Sequence, residues 1–579
     1  MSHGGAPPAS GSSARLVVLW RWSPEIVFLV VTTAAGFWAA GRWIEPFGDP
    51  GTWWSLLHRL AGGERLYRDV FLQYGPLSPY LLSFLARLVG LSPTSFLLMN
   101  WVPAILLGLV LLRAGRPYLS PPERLCLVGL LLALGIFGHG KTARLVFPYS
   151  PAAVHALIFS TLALLLLQRE SPQRRDALLA GALAGLAFCA KQEIGLVALL
   201  ALCAPIAARP SRARGWLVPV LAGFACAAMA GLLVVFASAS LDSLKYDSHF
   251  WPIGEFSPEW KYLSGLTTGL MIRDWPIRLG GAILAFAYHA ALIGLLGLLL
   301  ARDARVRRSL LLLLLGALLT GGAIDGVLFG RRADPFSLSL LVALALVLAA
   351  FFGRGRSGRD FFLGFGLFAG LVATRTAFAG RLGWSSYSGV ANVSTALTWV
   401  LFLFCFLPRL FPGGEAAAMT RRLWVMVLLP VTAWFAWPGA RELRNDSAVA
   451  VETPRGRVWS SPGTGPLFSV LGRNLRPGER ALVLPEPNSL EPLYTLRSAS
   501  PLPCHMPGWL DARAEDLLLR RFATDPPDVV VLFARTTWEF GVDPFGRGFG
   551  TRLAAWLAQN YGMVARAPGG VVLRRKPAG

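Results

Sequence analysis

Lysine is scarce in this chain: of 55 Lys and Arg residues in 579, only Lys141, Lys191, Lys245, Lys261 and Lys576 are lysines. Charge of either sign is thin, at 15% of residues against about 25% in a typical soluble domain, which excludes a disordered or ordinary soluble chain. Cysteine is sparse as well. Cys126, Cys189, Cys203, Cys226 and Cys405 lie in apolar runs and Cys504 stands apart in a polar region, with no CxxC or Cys/His spacing, so neither a disulfide framework nor a zinc site is expected. No Gly-rich phosphate loop or dinucleotide fingerprint opens a helix, which argues against a nucleotide-bound substrate. What is abundant is apolar: 54% of residues are hydrophobic. The net charge of +23 sits between apolar runs rather than on one face of a soluble domain, so it reads as a membrane signature and not as a nucleic-acid footprint.

Residues 1 to 23 read as a disordered cytoplasmic tail, small and polar through residue 14 and carrying Arg15 and Arg21. A first apolar run, about 24 to 43, is long enough to span a bilayer and carries Trp38 and Trp43 at interface depth. It reads as a retained anchor, the alternative being a signal peptide cut at Ala39-Ala40-Gly41. Further runs lie near 95 to 112, 125 to 138, 151 to 167, 177 to 190, 194 to 208, 216 to 238, 279 to 300, 310 to 329, 335 to 352, 361 to 379, 395 to 411 and 423 to 437. Arginine clusters such as Arg113/Arg116/Arg124, Arg169/Arg174/Arg175 and Arg209/Arg212/Arg214 fill alternate loops and place those loops in the cytoplasm. The parity predicts that 77 to 91 lies at the outer interface rather than crossing, and that 177 to 208 goes out and back around Lys191-Gln192-Glu193. The expected fold is therefore a mostly α polytopic membrane protein, 24 to 437, with about thirteen transmembrane helices and a first outward loop at 44 to 94.

Beyond 438 Pro, Gly and charge rise, and 438 to 579 reads as a soluble extracytoplasmic α/β domain. Short β-rich runs at 481 to 484, 529 to 533 and 571 to 573 alternate with helical patterns at 466 to 475, 511 to 523 and 549 to 560. Its acids Glu486, Glu491, Asp511, Glu515 and Asp516 read as surface or helix-start residues.

The first outward loop holds the candidate chemistry. Asp49, a few residues past the anchor, sits at the depth of a lipid headgroup, where a carboxylate can take a proton from an acceptor hydroxyl; Asp-Pro-Gly is also ordinary turn chemistry. An amphipathic stretch through Trp53, Trp54 and Leu57 follows, then GGERLYRDVFLQYGPLSPYLLSFLARLVG.

Span, Asp49, that loop, a second outward loop and then AGALAGLAFCAKQEIG together resemble the C-type membrane glycosyltransferases, among them the protein O-mannosyltransferases and the lipid A aminoarabinose transferases. The resemblance covers residues 20 to 240 by motif and the remainder by architecture. It implies sugar transfer from a polyprenyl-phosphate carrier to a glycan, lipid or protein acceptor on the outer face of the cytoplasmic membrane, with Asp49 as the catalytic base or beside it. It further implies that Lys191 serves the carrier phosphate. Taken by itself, Lys191 reads equally as a local ion pair with Glu193.

Two departures stand out. The turn before the interfacial helix is Tyr74-Gly75-Pro76 rather than a basic one, and Ser150 stands where a second carboxylate is expected, so a divalent cation lacks an acidic ligand and no metal or other cofactor is assigned. Lys141, Arg144, Arg331 and Arg332 are further candidates for the phosphate, with interfacial snorkelling as the other reading of the arginine pair. Tyr74, Tyr246, His249 and Trp251 have the composition of sugar or acceptor contacts, which an interfacial aromatic belt would share. His139, His155 and His289 read as bundle residues. A lipid-linked oligosaccharide polymerase or ligase, or a polytopic transporter, remains the alternative; a transporter would carry repeated halves, and none is detected.

Overall fold

The computed structural model describes residues 11–39, 49–72, 74–137, 145, 150–166, 169, 173–207, 210–239, 359–379, 388–406, 408, 414–444, 449–460, 465–486, 489–507, 509–537 and 542–577. The expected spans near 279 to 300, 310 to 329 and 335 to 352 lie outside them. So do the candidates Lys141, Arg144, Tyr246, His249, Trp251, Arg331 and Arg332, together with His139 and His289.

Over the described residues the helices are α1 (Gly11–Ala39), α2 (Asp49–Ala61), α3 (Leu77–Val89), α4 (Pro93–Gly115), α5 (Pro121–Leu131, continued by a π turn Leu132–Ile136), α6 (Pro151–Leu165), α7 (Arg174–Ala190), α8 (Gln192–Ala207) and α9 (Pro210–Ser238). They are followed by α10 (Arg359–Ala379), α11 (Ser388–Leu401, continued by a π turn Phe402–Phe406) and α12 (Gly414–Arg444). Among the described residues three stretches are long and apolar enough to cross a membrane, Pro93–Gly115, Gly215–Ser238 and Ala417–Arg441. The protein is a membrane protein, and α4 and α9 carry outward rows of bare apolar side chains such as Leu98, Val102 and Leu106 or Val218, Leu221 and Leu233. Such rows suit lipid rather than water.

Local sequence accounts for where the helices begin. Ser92 and Ser95 form a reciprocal capping box ahead of α4 with Pro93 at its first position, and Gln173 and Asp176 do the same for α7. α1 takes in residues 11 to 23, assigned above to a tail, because the apolar run Leu16 to Trp20 extends the helical pattern backwards.

α7 is the central strut of the described bundle, packed by α6, α8 and α9. Gly181 and Gly185 bring its backbone against α9: a Cβ at Gly181 would lie 1.9 Å from the Val220 carbonyl oxygen, and one at Gly185 2.7 Å from that of Phe224. Small residues four apart are what helix association in lipid requires. α3 is a separate helix between α2 and α4, buried through Ser78, Leu82, Ser83 and Ala86 and apolar on its exposed side through Leu81, Phe84 and Leu88.

After α12 the chain forms a hairpin of β1 (Val449–Thr453) and β2 (Gly456–Ser460), then α13 (Gly465–Asn474), β3 (Arg480–Leu484), α14 (Leu490–Tyr494), β4 (Arg497–Ser498), α15 (Ala512–Thr524), β5 (Val529–Phe533), α16 (Thr551–Asn560), β6 (Tyr561–Ala567) and β7 (Gly570–Arg575). A five-stranded mixed sheet has the order β4-β3-β5-β7-β6. β3 pairs in parallel with β5, Ala481 opposite Val529, and β5 runs antiparallel to β7, Val531 opposite Val572. Each strand and helix read from the sequence here has its counterpart within a few residues.

Two of the acids assigned to the surface are buried. Glu491 is 2% exposed and Glu515 6%, although both do sit in the first turn of their helices. Glu515 is held by the Leu553 amide, which donates to it at 2.9 Å. Glu491 accepts from the Ser55 hydroxyl of α2, a partner 436 residues away that no local pattern could reveal.

Candidate active site at the apex of the out-and-back hairpin

α7 ends at Ala190 and α8 begins at Gln192, so Lys191 is the single non-helical residue between two antiparallel helices. Its extended backbone (φ −150°, ψ 109°) turns the chain, its amide still donating to the Ala187 carbonyl at 2.8 Å. The side chain is fully buried. Its ammonium lies 4.2 Å from the centroid of the Tyr74 ring and 3.4 Å from a Glu193 carboxylate oxygen. A buried cation over a ring face gains about 2 kcal/mol or more where water is excluded.

Tyr74 is held from several sides. Its ring stacks on Trp53 of α2, centroids 5.6 Å apart and planes within 15°, and its carbonyl accepts from the Tyr67 hydroxyl. Tyr67 itself has φ 65°, a left-handed backbone that a bulky residue adopts only where its surroundings enforce it. Arg59, 6% exposed, ties the loop further through Glu64, at 2.7 Å, and the Asp69 carbonyl, at 2.9 Å. Gly75 then makes the closest approach of loop and bundle: a Cβ there would lie 2.0 Å from the Cys189 carbonyl, two residues before Lys191. Only glycine lets the first loop rest on the end of α7.

Asp49 is the first residue of α2, one helical turn before Trp53 and so about 6 Å along the helix from it. The chain of contacts from α2 to the hairpin apex therefore runs Trp53, Tyr74, Lys191. Of the residues selected from sequence, the structure brings Tyr74 and Lys191 into direct contact and starts the neighbouring helix at Asp49. Trp53, Tyr67 and Arg59 were not selected; the aromatic spacing of Trp53 and Tyr74 is the one signal that was available, and it does not reveal a stack.

At the second loop, Ser150 precedes α6, is 1% exposed, and has an Oγ without a partner among the described residues. His155 of α6 is a packed bundle residue, its Nδ1 2.9 Å from the Ser78 hydroxyl, as expected. Among the described residues no three His, Cys, Asp or Glu side chains cluster as metal ligands would. Ser150 stands at the position where the resemblance leads one to expect a carboxylate.

The terminal sheet unit closes over the same loop. His58 of α2 lies 3.1 Å from the Leu496 carbonyl, and burial draws its imidazole below the usual value, partly offset by that hydrogen bond and the nearby Glu491 carboxylate. The Phe71 amide donates to the Pro501 carbonyl at 2.9 Å.

No protein-family model matches the sequence, and a search of curated proteins finds no match. Among solved structures, ArnT from Cupriavidus metallidurans bound to undecaprenyl phosphate is similar with a TM-score of 0.51 and 13% identity, covering 96% of this chain and 98% of that one. Archaeal oligosaccharyltransferase AglB from Archaeoglobus fulgidus, in complex with an inhibitory peptide and a dolichol-phosphate, is similar with a TM-score of 0.44 and 13% identity, covering 94% and 73%. The end-to-end likeness shows that the chain has the fold of that ArnT structure.

Proposed function

We propose that this protein is a glycosyltransferase that moves a sugar from a polyprenyl-phosphate carrier to an acceptor hydroxyl at the outer face of the cytoplasmic membrane, with inversion at the anomeric carbon. The observation that carries the reading is Lys191: a buried ammonium at a hairpin apex, roofed by an aromatic of the loop whose first helix begins at Asp49. The fold shared with a protein crystallised on undecaprenyl phosphate supports it.

In this reading Asp49 accepts the proton of the acceptor hydroxyl as its oxygen attacks the anomeric carbon. The bond from that carbon to the phosphate oxygen breaks, and its electron pair leaves with the polyprenyl phosphate. Negative charge grows on the phosphate, and Lys191, fixed in a partly dry site before the reaction begins, meets it without reorganising. The loop holding Tyr74 limits water around that charge, so the ammonium acts at low local dielectric. Lys141, Arg144, Arg331 and Arg332 are assigned as supporting cations and Tyr246, His249 and Trp251 as the sugar-facing set, whereas Tyr74, buried between Trp53 and Lys191, serves as the roof over the ammonium rather than as a sugar contact. The carrier's isoprenoid tail lies along the apolar helices, where each buried CH₂ contributes about 0.8 kcal/mol.

The test is incubation of the purified protein, reconstituted in lipid, with polyprenyl-phosphate sugars. Donor is expected to be consumed and Asp49→Asn to slow consumption by at least about 100-fold while the protein stays folded. Full transfer by the Asp49→Asn variant would overturn the assignment.

A further inference from the structure

We infer that the terminal sheet unit is a positioning clamp for the reacting loop, acting through Phe71 and Glu491, and that neither residue touches the reactants. The inference rests on the glycosyltransferase reading for its kinetic part only. Phe71 belongs to the first loop by sequence but to the terminal unit by packing: it is 5% exposed and shares a buried apolar cluster with Leu482, Leu484, Leu502 and Leu510. Of these, Leu482 and Leu484 lie on β3, more than 400 residues further along the chain than Phe71. Its amide is fixed as well, by the Pro501 carbonyl.

Two residues lie between this anchor and Tyr74, so the two are at most about 11 Å of chain apart. The loop is thus pinned at Phe71 in the terminal unit and at Tyr74 against Trp53 and Lys191. α2 is gripped independently. Glu491 accepts from Ser55, and His58, almost one turn further, meets the Leu496 carbonyl, so two contacts of α14 and its exit seat the helix that starts at Asp49. Glu491 is buried and Ser55 is 4% exposed, which makes the contact costly to lose, because a buried acceptor left without its donor keeps its full desolvation penalty. A displacement of about 1 Å at a reacting centre can slow turnover about 100-fold, so a clamp on both the loop and α2 belongs in the catalytic account.

The experiment compares full-length wild type with Phe71→Ala, Phe71→Leu and Ser55→Ala in lipid nanodiscs. Amide hydrogen exchange is read over 50–76 and over 174–238, and donor turnover is measured where the wild type shows it. We expect Phe71→Ala and Ser55→Ala to raise exchange over 50–76 at least 10-fold while 174–238 stays protected. Turnover should fall at least 10-fold with donor KM changed less than about 3-fold, and Phe71→Leu should restore most of both. Unchanged exchange over 50–76 would overturn the clamp, as would equal loosening of 174–238, which marks general destabilisation. A wild type without turnover would sink the glycosyltransferase reading instead, leaving the exchange result to decide the clamp.

Discussion

Two buried cations in the described bundle make an instructive pair. Arg124 of α5 is 1% exposed, and its charge is answered by the Glu25 carboxylate and the Arg21 carbonyl, both on α1. Lys191 is equally buried, but it stands over the face of Tyr74 with its carboxylate neighbour at 3.4 Å, beyond the 2.7–2.9 Å typical of a charge-assisted hydrogen bond. Glu193 is also partly open to solvent, its side chain 31% exposed. One cation joins two helices; the other sits at a hairpin apex between an aromatic ring and a partly exposed carboxylate. Burial is the same in the two cases, and the partners differ: a carboxylate and a carbonyl for Arg124, a ring face and a carboxylate for Lys191.

The contrast breaks most visibly at Asp49. In Asp49→Asn we expect sugar transfer to fall by about 10²–10⁴-fold, the range for loss of a general base, with the thermal transition unchanged. Lys191→Met should lower turnover by roughly 10²–10³-fold, as loss of a preorganised charge does, with a small change in stability. Arg124→Met should do the reverse: it strands the Glu25 carboxylate and costs about 3–5 kcal/mol of stability by denaturant or thermal unfolding, while the surviving folded protein keeps its turnover per molecule. Tyr74→Leu removes a contact of about 0.5–2 kcal/mol, hence a loss of roughly 2- to 30-fold in turnover, and Tyr74→Phe, which keeps the ring, should stay near wild type.

A smaller effect follows from the terminal unit. Burial, with Arg59 nearby, drops the His505 imidazole to about 3, its Nε2 resting 2.7 Å from the Ser500 hydroxyl. The unfolded chain therefore binds a proton that the folded one refuses between these two values. Stability from this residue is complete above about pH 6.5 and is lost progressively as pH falls toward 3. Unfolding followed by sheet circular dichroism should weaken on the acid side, and His505→Gln should flatten that limb.

The legible part of the molecule is the part governed by short-range pattern. Apolar runs fixed the helices, arginine parity made 177 to 208 a hairpin with its apex at Lys191, and the strands of the terminal unit announce themselves as Val- and Leu-rich runs. Asp49, read as a base or as the start of an Asp-Pro-Gly turn, is in the structure the first residue of α2. What stayed hidden is long-range. Nothing in the sequence says that Phe71 packs with the sheet 400 residues later, that Glu491 turns inward to Ser55, or that Tyr74 lies on Lys191. Glu491 illustrates the reason: a carboxylate in a helix's first turn is favoured by the helix dipole whether or not it is buried, so its position carries no information about its partner.

The most direct test is the affinity for undecaprenyl phosphate in nanodiscs, measured by titration against wild type, Lys191→Met and Arg124→Met. The account predicts at least a 10-fold weaker affinity in Lys191→Met, with wild-type affinity in the folded fraction of Arg124→Met. Equal affinity in all three proteins would contradict it.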